Sequence, residues 1–586
     1  MSLADQALAN LVDQFARPLD FLRELAQNAI DAGSPRIEVT VAFEAGEEGE
    51  GVLTVAVHDF GEGMDEGIID GQLTRLFAST KEDDLTKIGK FGIGFTSVFA
   101  IRPEAVLVRT GRHGEYWELV FHADRTFDKV RLEEPVAGTR ITLFKRMPES
   151  QARSFAEECR ATLTFWCEHS DTPILFTDAT SGEVSAPAPV DEDDPFAAFA
   201  DAALAEVAQI NRPMELDAPL RVRTEVGGIV AVLGAGATPR FGFYSGGLTL
   251  LSTTSDDALG KHSDDLRHLT FKLKSDRLEH TLTRDNVIQD EEWERAMEVL
   301  QQARGELRQA LLDRLEEAVA RDDGPAIDQW HGVLAAELAT HDGAAWFRGQ
   351  LGRPLLADVT GAPLTLKALR KAPTPDVLLA EQIDPLVGAV LALEIPVVRD
   401  RAAVRRVLGS VPMRARLGSR ALRPVGDVFV LPQLVADTDL DPLERDLLDG
   451  VRQLLRAAVG VHLQVRERRW SWEPDVDGWA NRLDLHVGDF GGLDRGSREV
   501  LALHGPRSGK VFLRPRRTRR WLPAFLSWRT LLLNRRHPLY RSWVLAGSDE
   551  PLVAALGLAQ ALLHTEDIEG DAAYRRMLHR AAEQLT

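Results

Sequence analysis

Three segments near the N-terminus, in a fixed order, constrain the fold of this chain more than any other feature of its sequence. A helix-like segment carries Glu24, Asn28 and Asp31, and a turn at residues 59–64 (Asp-Phe-Gly-Glu-Gly-Met) follows a strand-like segment. A glycine loop at residues 89–95 (Gly-Lys-Phe-Gly-Ile-Gly-Phe) comes next. Each segment alone is a weak indication. Together and in this order they are typical of a nucleotide pocket.

The bulk composition bounds the class of protein. A chain of 586 residues is too long for one hydrophobic core, so we expect roughly three or four domains. The formal net charge of -21 argues against broad coating of nucleic acid, which needs clustered positive charge. The two cysteines, Cys159 and Cys167, have no metal-site spacing. With no signal-peptide pattern and no apolar run long enough to span a bilayer, we expect a cytoplasmic protein without membrane contact.

Hydrophobic periodicity predicts a multidomain α+β protein. Residues 1–185 combine helices with antiparallel strands, which indicates an α/β sandwich. Residues 186–214 contain closely spaced prolines and an acidic run, which indicates a linker. Residues 215–325 indicate an α/β middle domain that ends in a long helix. Residues 326–586 indicate a mixed α/β C-terminal region of one or two domains, to which the sequence assigns no function.

The first helix places three polar residues on one face. Glu24, Asn28 and Asp31 stand at positions i, i+4 and i+7, opposite the apolar face. ATP hydrolysis requires a carboxylate that orients and deprotonates water and an oxygen ligand for Mg²⁺. Glu24 can supply the first and the Asn28 amide the second. For these residues alone, a solvated amphipathic helix is the simpler interpretation.

The turn and the glycine loop add two further binding elements. Asp59 follows a strand directly, where its carboxylate can accept a hydrogen bond from an adenine amino group, and Gly61 and Gly63 allow the backbone to approach the base. An ordinary turn is the alternative for this segment. Backbone amides at the junction between the loop at residues 89–95 and the following helix-like segment can bind phosphate. The stretch between turn and loop could form a lid over the nucleotide.

These segments resemble the ninety-kilodalton heat-shock chaperones, a family within the Bergerat-fold (GHKL) ATPases. Residues 21–32 are similar to the first motif of that family, and residues 88–95 are similar to its glycine loop. Residues 138–143 resemble its closing Gly-Thr strand, and residues 168–174 resemble the end of its nucleotide domain. The resemblance implies an N-terminal Bergerat-fold ATPase domain that uses ATP and Mg²⁺.

The same resemblance implies roles for individual residues. Glu24 would be the general base, Asn28 the Mg²⁺ ligand, and Asp59 with Thr139 the groups that recognise adenine. Lys81 would contact the phosphates. The remaining residues implied at the nucleotide are Gly63, Met64, Gly92, Ile93, Gly94 and Phe95.

A weaker resemblance extends into the middle region. Residues 282–286 (Leu-Thr-Arg-Asp-Asn) resemble a chaperone segment whose arginine reaches the γ-phosphate, and Arg284 matches that arginine. Thr283 and Asp285 stand where the family has serine and glutamate. An arginine that caps a helix or pairs with an acid is the alternative. The predicted lid is shorter than that of the chaperones, and no resemblance extends beyond about residue 325.

Two functions compete at this level. The first is a chaperone-like ATPase that couples ATP binding and hydrolysis to lid closure and domain rearrangement, with protein clients and a homodimeric state implied by the family. The second is a DNA-handling ATPase clamp of the mismatch-repair or MORC type. Residues 514–541 contain nine arginines and no acid and could bind nucleic acid, but docking on the acidic remainder of the chain or a protein-binding face is the favoured interpretation. A sensor histidine kinase is improbable because it would place this domain after a phospho-acceptor helix.

Overall fold

The chain divides into two compact units, Met1–Leu307 and Arg308–Thr586, and each is described by itself. The division falls inside one long helix, Glu291–Ala320. The domain boundaries after residues 185, 214 and 325 stay predictions. The computed structural model describes residues 18–74, 94–124, 126–181, 207–281, 286–372, 374–418, 420–458, 461–464, 469–472, 483–506, 510–517, 521 and 529–565.

The first unit contains an eight-stranded sheet in the order β5-β4-β3-β6-β2-β1-β7-β8. Neighbouring strands are antiparallel, except that β1 and β7 run parallel. In β1, the alternate residues Ile37, Val39 and Val41 are buried, as the two-residue period of a strand requires. The strands are β1 (Ile37–Ala45), β2 (Glu50–Asp59), β3 (Ala105–Arg112), β4 (Glu115–His122), β5 (Phe127–Arg131), β6 (Thr139–Pro148), β7 (Ile174–Ala179) and β8 (Val207–Gln209).

Two helices pack on this sheet, α1 (Phe21–Asp31) and α2 (Glu149–Cys167). In α1, Leu25 and Ala29 are buried four residues apart, and α2 repeats this spacing along its own buried face. Both faces enter one hydrophobic core with the strands. The layered arrangement confirms the predicted α/β sandwich. Helix α1 ends just before Gly33, whose positive φ of 70° turns the chain out of the helix.

A second sheet of the first unit has the order β12-β11-β13-β10-β9. Strands β11 and β13 are parallel, and the other neighbours are antiparallel. The ring of Phe271 lies 5.3 Å from that of Phe241 and 5.4 Å from that of Phe243, which ties the centre of the sheet together. The strands are β9 (Leu220–Val226), β10 (Ile229–Ala235), β11 (Phe241–Ser245), β12 (Leu248–Thr253) and β13 (Thr270–Lys274), and helix α3 (Glu291–Ala320) follows them.

The predicted linker at residues 186–214 is described only from residue 207 onward. There the chain forms β8, which pairs with β7 at the edge of the first sheet. The side chain of Asn211 fixes the segment that follows, because its amide donates to the carbonyl oxygens of Ser170 and Thr172 at 2.6 and 2.8 Å. The described end of this segment is therefore held against the first sheet.

The second unit is also mixed α/β, which confirms the predicted fold class. Its main strands are β14 (Asp376–Ala380), β15 (Val397–Arg399), β16 (Ala421–Pro424), β17 (Gln433–Leu434), β18 (Leu483–Asp489), β19 (Ala502–Pro506) and β20 (Arg529–Asn534), and its longer helices are Gly324–Leu338, Pro442–Ala458 and Pro551–Thr565. The first three strands form a parallel sheet in the order β15-β14-β16, and the other four form a mixed sheet in the order β17-β18-β20-β19. None of the helices in the described ranges combines the length and apolar character that a membrane crossing requires.

Candidate nucleotide-binding site

A cavity of about 260 Å³ lies between α1, the end of β2 and the start of β6; we call it the nucleotide cavity. Its walls combine polar side chains from α1 with apolar side chains from the strands, which suits a ligand with a flat apolar part and a polar edge. The sequence-predicted residues that line it are Asn28, Asp59, Gly63, Met64, Phe95 and Thr139.

Asp59 is the most perturbed acid of the nucleotide cavity. It is the last residue of β2, and its Oδ1 accepts a hydrogen bond from the Gly61 backbone amide at 2.9 Å. Burial raises the pKa of Asp59 to about 6, although hydrogen bonds from the Gly61 and Thr139 amides oppose the rise. A half-buried carboxyl group with a raised pKa in a cavity is typical of a ligand-binding position.

Thr139 is held in the nucleotide cavity by a second threonine that the sequence analysis missed. The hydroxyl oxygens of Thr110 and Thr139 lie 2.9 Å apart, and the Met64 amide donates to Thr110 Oγ1 at 2.9 Å. Thr110 is fully buried, and it faces Thr139 in the register of β3 with β6. The strand pattern alone could not identify this pairing, because it depends on which strands become neighbours.

Gly63 brings the backbone close to the base of the cavity. Its φ is +67°, and a Cβ at this position would lie 2.1 Å from the carbonyl oxygen of Gly111. Both observations require glycine, because an L side chain would be strained in this conformation and would also collide with the neighbouring strand. Glycine is therefore required at position 63 for two reasons: the backbone conformation of the turn and the close packing of the turn against β3.

Glu24 stands beside the segment that follows the glycine loop rather than in the wall of the nucleotide cavity. Its Oε2 lies 3.2 Å from where a Cβ on Gly94 would be, and its side chain is only 13% exposed. Arg23 approaches it from the other side, with 3.8 Å between Nη1 and Glu24 Oε1, and the Arg23 guanidinium stacks 4.7 Å from the ring of Trp166. The carboxylate is thus placed between a cation and the helical turn that starts at Gly94.

Four of the predicted site residues lie outside the described residues: Lys81, Gly92, Ile93 and Arg284. Their roles stay predictions. Asp31, the third residue of the polar helix face, lines the nucleotide cavity and accepts a hydrogen bond from Gln27 at 2.9 Å.

The mouth of the nucleotide cavity carries a further pair that sequence reasoning did not single out. Arg112 Nη2 donates to Glu62 Oε2 at 2.7 Å, and both residues line the cavity. Glu62 lies inside the Asp-Phe-Gly-Glu-Gly-Met turn, so its position was visible in the sequence, but its partner is 50 residues away in the chain. The pair joins the turn to the end of β3.

A magnesium site here would rest on few protein ligands. Within the described ranges, no group of three or more His, Cys, Asp or Glu side chains is placed to hold a metal ion. Mg²⁺ is commonly bound by one or two protein oxygens together with substrate phosphates and waters. The Asn28 amide, which lines the nucleotide cavity, fits that kind of site because it offers a hard oxygen ligand.

Three arginines of the basic segment at residues 514–541 are paired with acids of their own unit. Arg535 Nη2 lies 2.6 Å from Glu444 Oε2, and Arg536 Nη2 donates to Asp489 at 2.7 Å. Arg514 pairs with Asp494. These pairs are what docking on acidic parts of the chain requires, and each one leaves its guanidinium less available for a phosphate.

The nucleotide cavity and its lining residues indicate a nucleotide-binding domain, and comparison with known proteins indicates the same class of domain. Residues 20–146 match the sequence model of the family described as "Histidine kinase-, DNA gyrase B-, and HSP90-like ATPase". The prediction of a GHKL-type ATPase domain at the N-terminus is therefore confirmed. The match contains Glu24, Asn28, Asp59 and Thr139, and so covers the whole nucleotide cavity.

The curated relatives are more particular and bear the name "Chaperone protein HtpG". One from a Shewanella species is 31% identical over 184 residues, which cover 26% of this chain and 28% of the relative. One from Shewanella halifaxensis is 30% identical over 184 residues, with the same coverage. One from Burkholderia ambifaria is 29% identical over 187 residues, which cover 29% of this chain and 28% of the relative. The chain thus spans 28% of the length of these relatives, and the likeness confirms the predicted resemblance to this family.

Proposed function

We propose that this protein is an ATP-dependent, chaperone-type ATPase. The observation that carries the proposal is the nucleotide cavity, which gathers Asn28, Asp59, Gly63 and Thr139 from segments far apart in the chain. These are the residues to which the resemblance assigns nucleotide contacts. The chaperone part of the proposal is supported by the names of the relatives, whose likeness covers 26 to 29% of this chain.

Adenine is recognised by Asp59 and Thr139. The carboxylate of Asp59 accepts a hydrogen bond from the exocyclic amino group, and its burial makes that bond stronger than it would be in water. The Thr139 hydroxyl, oriented by Thr110, is positioned to act with it. Gly63 lets the turn that lines the nucleotide cavity pack closely against β3.

Hydrolysis relies on Glu24 and Asn28. Glu24 orients the attacking water and takes its proton, which is the role of a general base in phosphoryl transfer to water. Asn28 would hold Mg²⁺, and a bound ion there would supply positive charge to offset the charge that develops on the phosphate oxygens. The backbone amides of Gly92, Ile93, Gly94 and Phe95 and the side chain of Lys81 hold the phosphates.

Turnover is coupled to a change in shape through the middle domain. Arg284 reaches the γ-phosphate when ATP closes the lid, and hydrolysis releases it. Protein clients, a homodimer and a cytoplasmic location belong to the same proposal, and they are supported by the resemblance to the heat-shock protein 90 family. Substituting Arg284→Ala should then lower turnover without abolishing ATP binding, and unchanged turnover would rule the coupling out.

The first test is steady-state ATP hydrolysis by the wild-type protein and Glu24→Ala, with nucleotide binding measured on both. Loss of a general base should lower turnover by about 10²-fold or more while ATP still binds. Glu38→Gln, a half-exposed change on β1, serves as the control and should leave turnover unaltered. If neither wild type nor variant binds ATP, the proposed site is wrong.

Unfolded protein or DNA added to the same assay distinguishes the two proposed functions. Stimulation by unfolded protein supports the chaperone-type ATPase. Stimulation by DNA, lost when the arginines of residues 514–541 are reversed in charge, supports the clamp instead.

A further inference from the structure

A second and larger cavity of the first unit, about 600 Å³, lies between α2 and the second sheet; we call it the junction groove. Its volume falls in the range of ordinary ligand sites. It has no part in the nucleotide chemistry described above. Its lining residues are Glu157, Arg160, Ala161, Thr164, Phe165, Glu168, Arg240, Tyr244, Thr249, Ser252 and Lys272.

One wall of the junction groove is a single face of α2. Glu157, Ala161 and Phe165 are spaced by four residues, so they line up along the helix. Phe165 is 41% exposed, which is unusual for an aromatic side chain in a folded domain. Its carbonyl oxygen accepts a hydrogen bond from Thr249 Oγ1 at 2.8 Å, which fixes this part of α2 against the second sheet.

The opposite wall is made by the second sheet and offers hydrogen-bond donors. Tyr244 is 4% exposed, and its phenol group has no hydrogen-bond partner among the described residues. The Arg240 guanidinium lies at the rim, 3.4 Å from Ser252 Oγ. A phenol group in a cavity wall can donate a hydrogen bond to a bound acceptor.

The charged side chains at the floor of the junction groove already neutralise one another. Lys272 Nζ lies 3.2 Å from Glu168 Oε1 and 2.7 Å from His169 Nε2, so these three residues satisfy one another. Two guanidinium groups remain, those of Arg160 and Arg240, and neither pairs with a carboxylate of the described residues. The exposed charges along the groove are therefore mixed: Arg160 and Arg240 are positive and Glu157 is negative, so positive charge is in slight excess.

We propose that the junction groove binds an acidic, aromatic-containing polypeptide segment of a partner protein. Carboxylates of the segment pair with Arg160 and Arg240, a backbone or side-chain oxygen accepts from Tyr244, and an aromatic side chain packs on Phe165. The proposal names the chemical class of partner that the chaperone-type ATPase would bind, and to that extent it rests on the proposed function. The binding step itself does not need ATP.

Charge spacing favours a peptide over nucleic acid as the occupant. Each nucleotide carries a phosphate, and the exposed carboxylate of Glu157 in the same groove would repel a continuous row of phosphates. A peptide can place carboxylates at the two arginines and apolar groups between them. The partly apolar walls formed by Ala161 and Phe165 suit such alternation.

The test measures binding directly, with the full chain and a fluorescein-labelled synthetic peptide of alternating aspartate and phenylalanine, by fluorescence anisotropy without nucleotide. The double variant Arg160→Glu/Arg240→Glu should weaken binding by about tenfold or more. It should also bind the matching lysine–phenylalanine peptide better than wild type does. Phe165→Ala should weaken binding of the acidic peptide as well, and since Phe165 is well exposed, the fold should persist.

The matched control is Arg314→Glu/Arg321→Glu, which makes the same change of charge at side chains that are 61% and 76% exposed on and just beyond α3. The control should bind the acidic peptide as wild type does. Equal binding by the Arg160→Glu/Arg240→Glu variant would overturn the proposal. Displacement of the peptide by a single-stranded oligonucleotide or by phenylacetate at equal concentration would also overturn it, in favour of nucleic acid or a small organic anion. Glu24→Ala should bind the peptide normally, so failure of the ATPase proposal and failure of this one are distinguishable.

Discussion

Asp59 in the nucleotide cavity and Glu168 in the junction groove are both partly buried carboxyl groups, yet their pKa values move in opposite directions. Burial raises the pKa of Asp59 to about 6, and its two backbone hydrogen bonds offset only part of that effect. A hydrogen bond with His169 lowers the pKa of Glu168 to about 2, with the charge of Lys272 contributing and burial opposing. The contacts around Asp59 do not offset the burial of its charge, whereas the contacts around Glu168 more than offset it.

The difference is the one expected between an acid proposed to bind a ligand and an acid that stabilises the fold. A carboxylate that the protein itself does not neutralise costs stability near neutral pH, and such groups concentrate at functional sites. A carboxylate paired with a lysine contributes stability there. We therefore expect that removing the charge of Asp59 improves stability and harms nucleotide binding, whereas removing the charge of Glu168 lowers stability and leaves the nucleotide cavity intact.

The largest effect on the nucleotide cavity should come from Gly63→Ala, which tests whether close backbone packing shapes it. The new Cβ would meet the Gly111 carbonyl oxygen at 2.1 Å in a backbone conformation with φ of +67°. We expect a loss of about 3 kcal/mol in the free energy of unfolding and no detectable ATP binding. Urea denaturation measures the first and a fluorescent nucleotide the second.

Gly33→Ala is the control for that prediction. Gly33 has a φ of +70° but nothing within 4 Å of a new Cβ, so it should lose only about 1 kcal/mol. Equal losses in the two variants would mean that backbone conformation, rather than the contact with Gly111, accounts for the effect.

The second prediction is that Asp59→Asn stabilises the protein at neutral pH. The carboxyl group titrates near 3.8 when unfolded and near 6 when folded. Between these values the native state holds a proton that the unfolded chain has lost, so stability falls as pH rises from about 4 to about 6 and stays low above it. The variant should exceed wild type by about 2 kcal/mol at pH 7 and match it near pH 4, while binding ATP at least tenfold more weakly.

Asp31→Asn is the matched control, because Asp31 also lines the nucleotide cavity but is exposed. It should change stability little at either pH. A stability gain for Asp59→Asn that persists at pH 4 would contradict the assignment of the effect to the raised pKa.

The third prediction is the opposite response of Glu168→Gln. The lowered pKa of Glu168 means that its charge contributes stability above about pH 4.5, and this contribution disappears as pH falls through about 2. We expect a loss of about 1 to 2 kcal/mol at pH 7, allowing for solvent screening, and convergence with wild type towards pH 2. Thermal unfolding across this pH range is the measurement.

Glu157→Gln serves as the comparison for Glu168, because it lies in the same groove with a side chain that is 67% exposed and only a weak contact to Arg153 at 3.5 Å. Its effect should be close to zero. If Glu168→Gln also left the free energy of unfolding unchanged at pH 7, the charge of Glu168 would not stabilise the fold, and the expected contrast with Asp59 would be wrong.

The smallest effect should come from Thr110→Val, which removes the hydroxyl that orients Thr139. One hydrogen bond to Thr139 and one from the Met64 amide are lost, for which we expect about 1 kcal/mol of stability and a few-fold weaker ATP binding. Thr142→Val is the control, since Thr142 is fully buried and its hydroxyl has no partner among the described residues. A larger loss for Thr142→Val would show that volume and shape, rather than the hydrogen bonds, determine the result.

Much of the nucleotide cavity could be predicted because its parts are local. Three local features each predict the conformation of a short stretch of backbone. They are the glycines at residues 61 and 63, an acid at the end of a strand, and polar residues four apart on a helix. The sandwich fold was predictable for a similar reason, since strand and helix periods are visible over ten residues or fewer. The partners of these residues were not predictable from the sequence. Thr110 meets Thr139 only because β3 pairs with β6, and Arg112 contacts Glu62, which is 50 residues away in the chain.

By itself, the sequence determined the class of ATPase domain and the mixed α/β character of the chain, and it supplied the residues that we propose for nucleotide contacts. These follow from residue type and short-range spacing, which local backbone geometry preserves. Only the tertiary structure decided which way the pKa values of Asp59 and Glu168 move, and only it created the junction groove between α2 and the second sheet. Burial and charge pairing are sums over neighbours that the chain brings together from distant positions, so spacing along the sequence does not encode them.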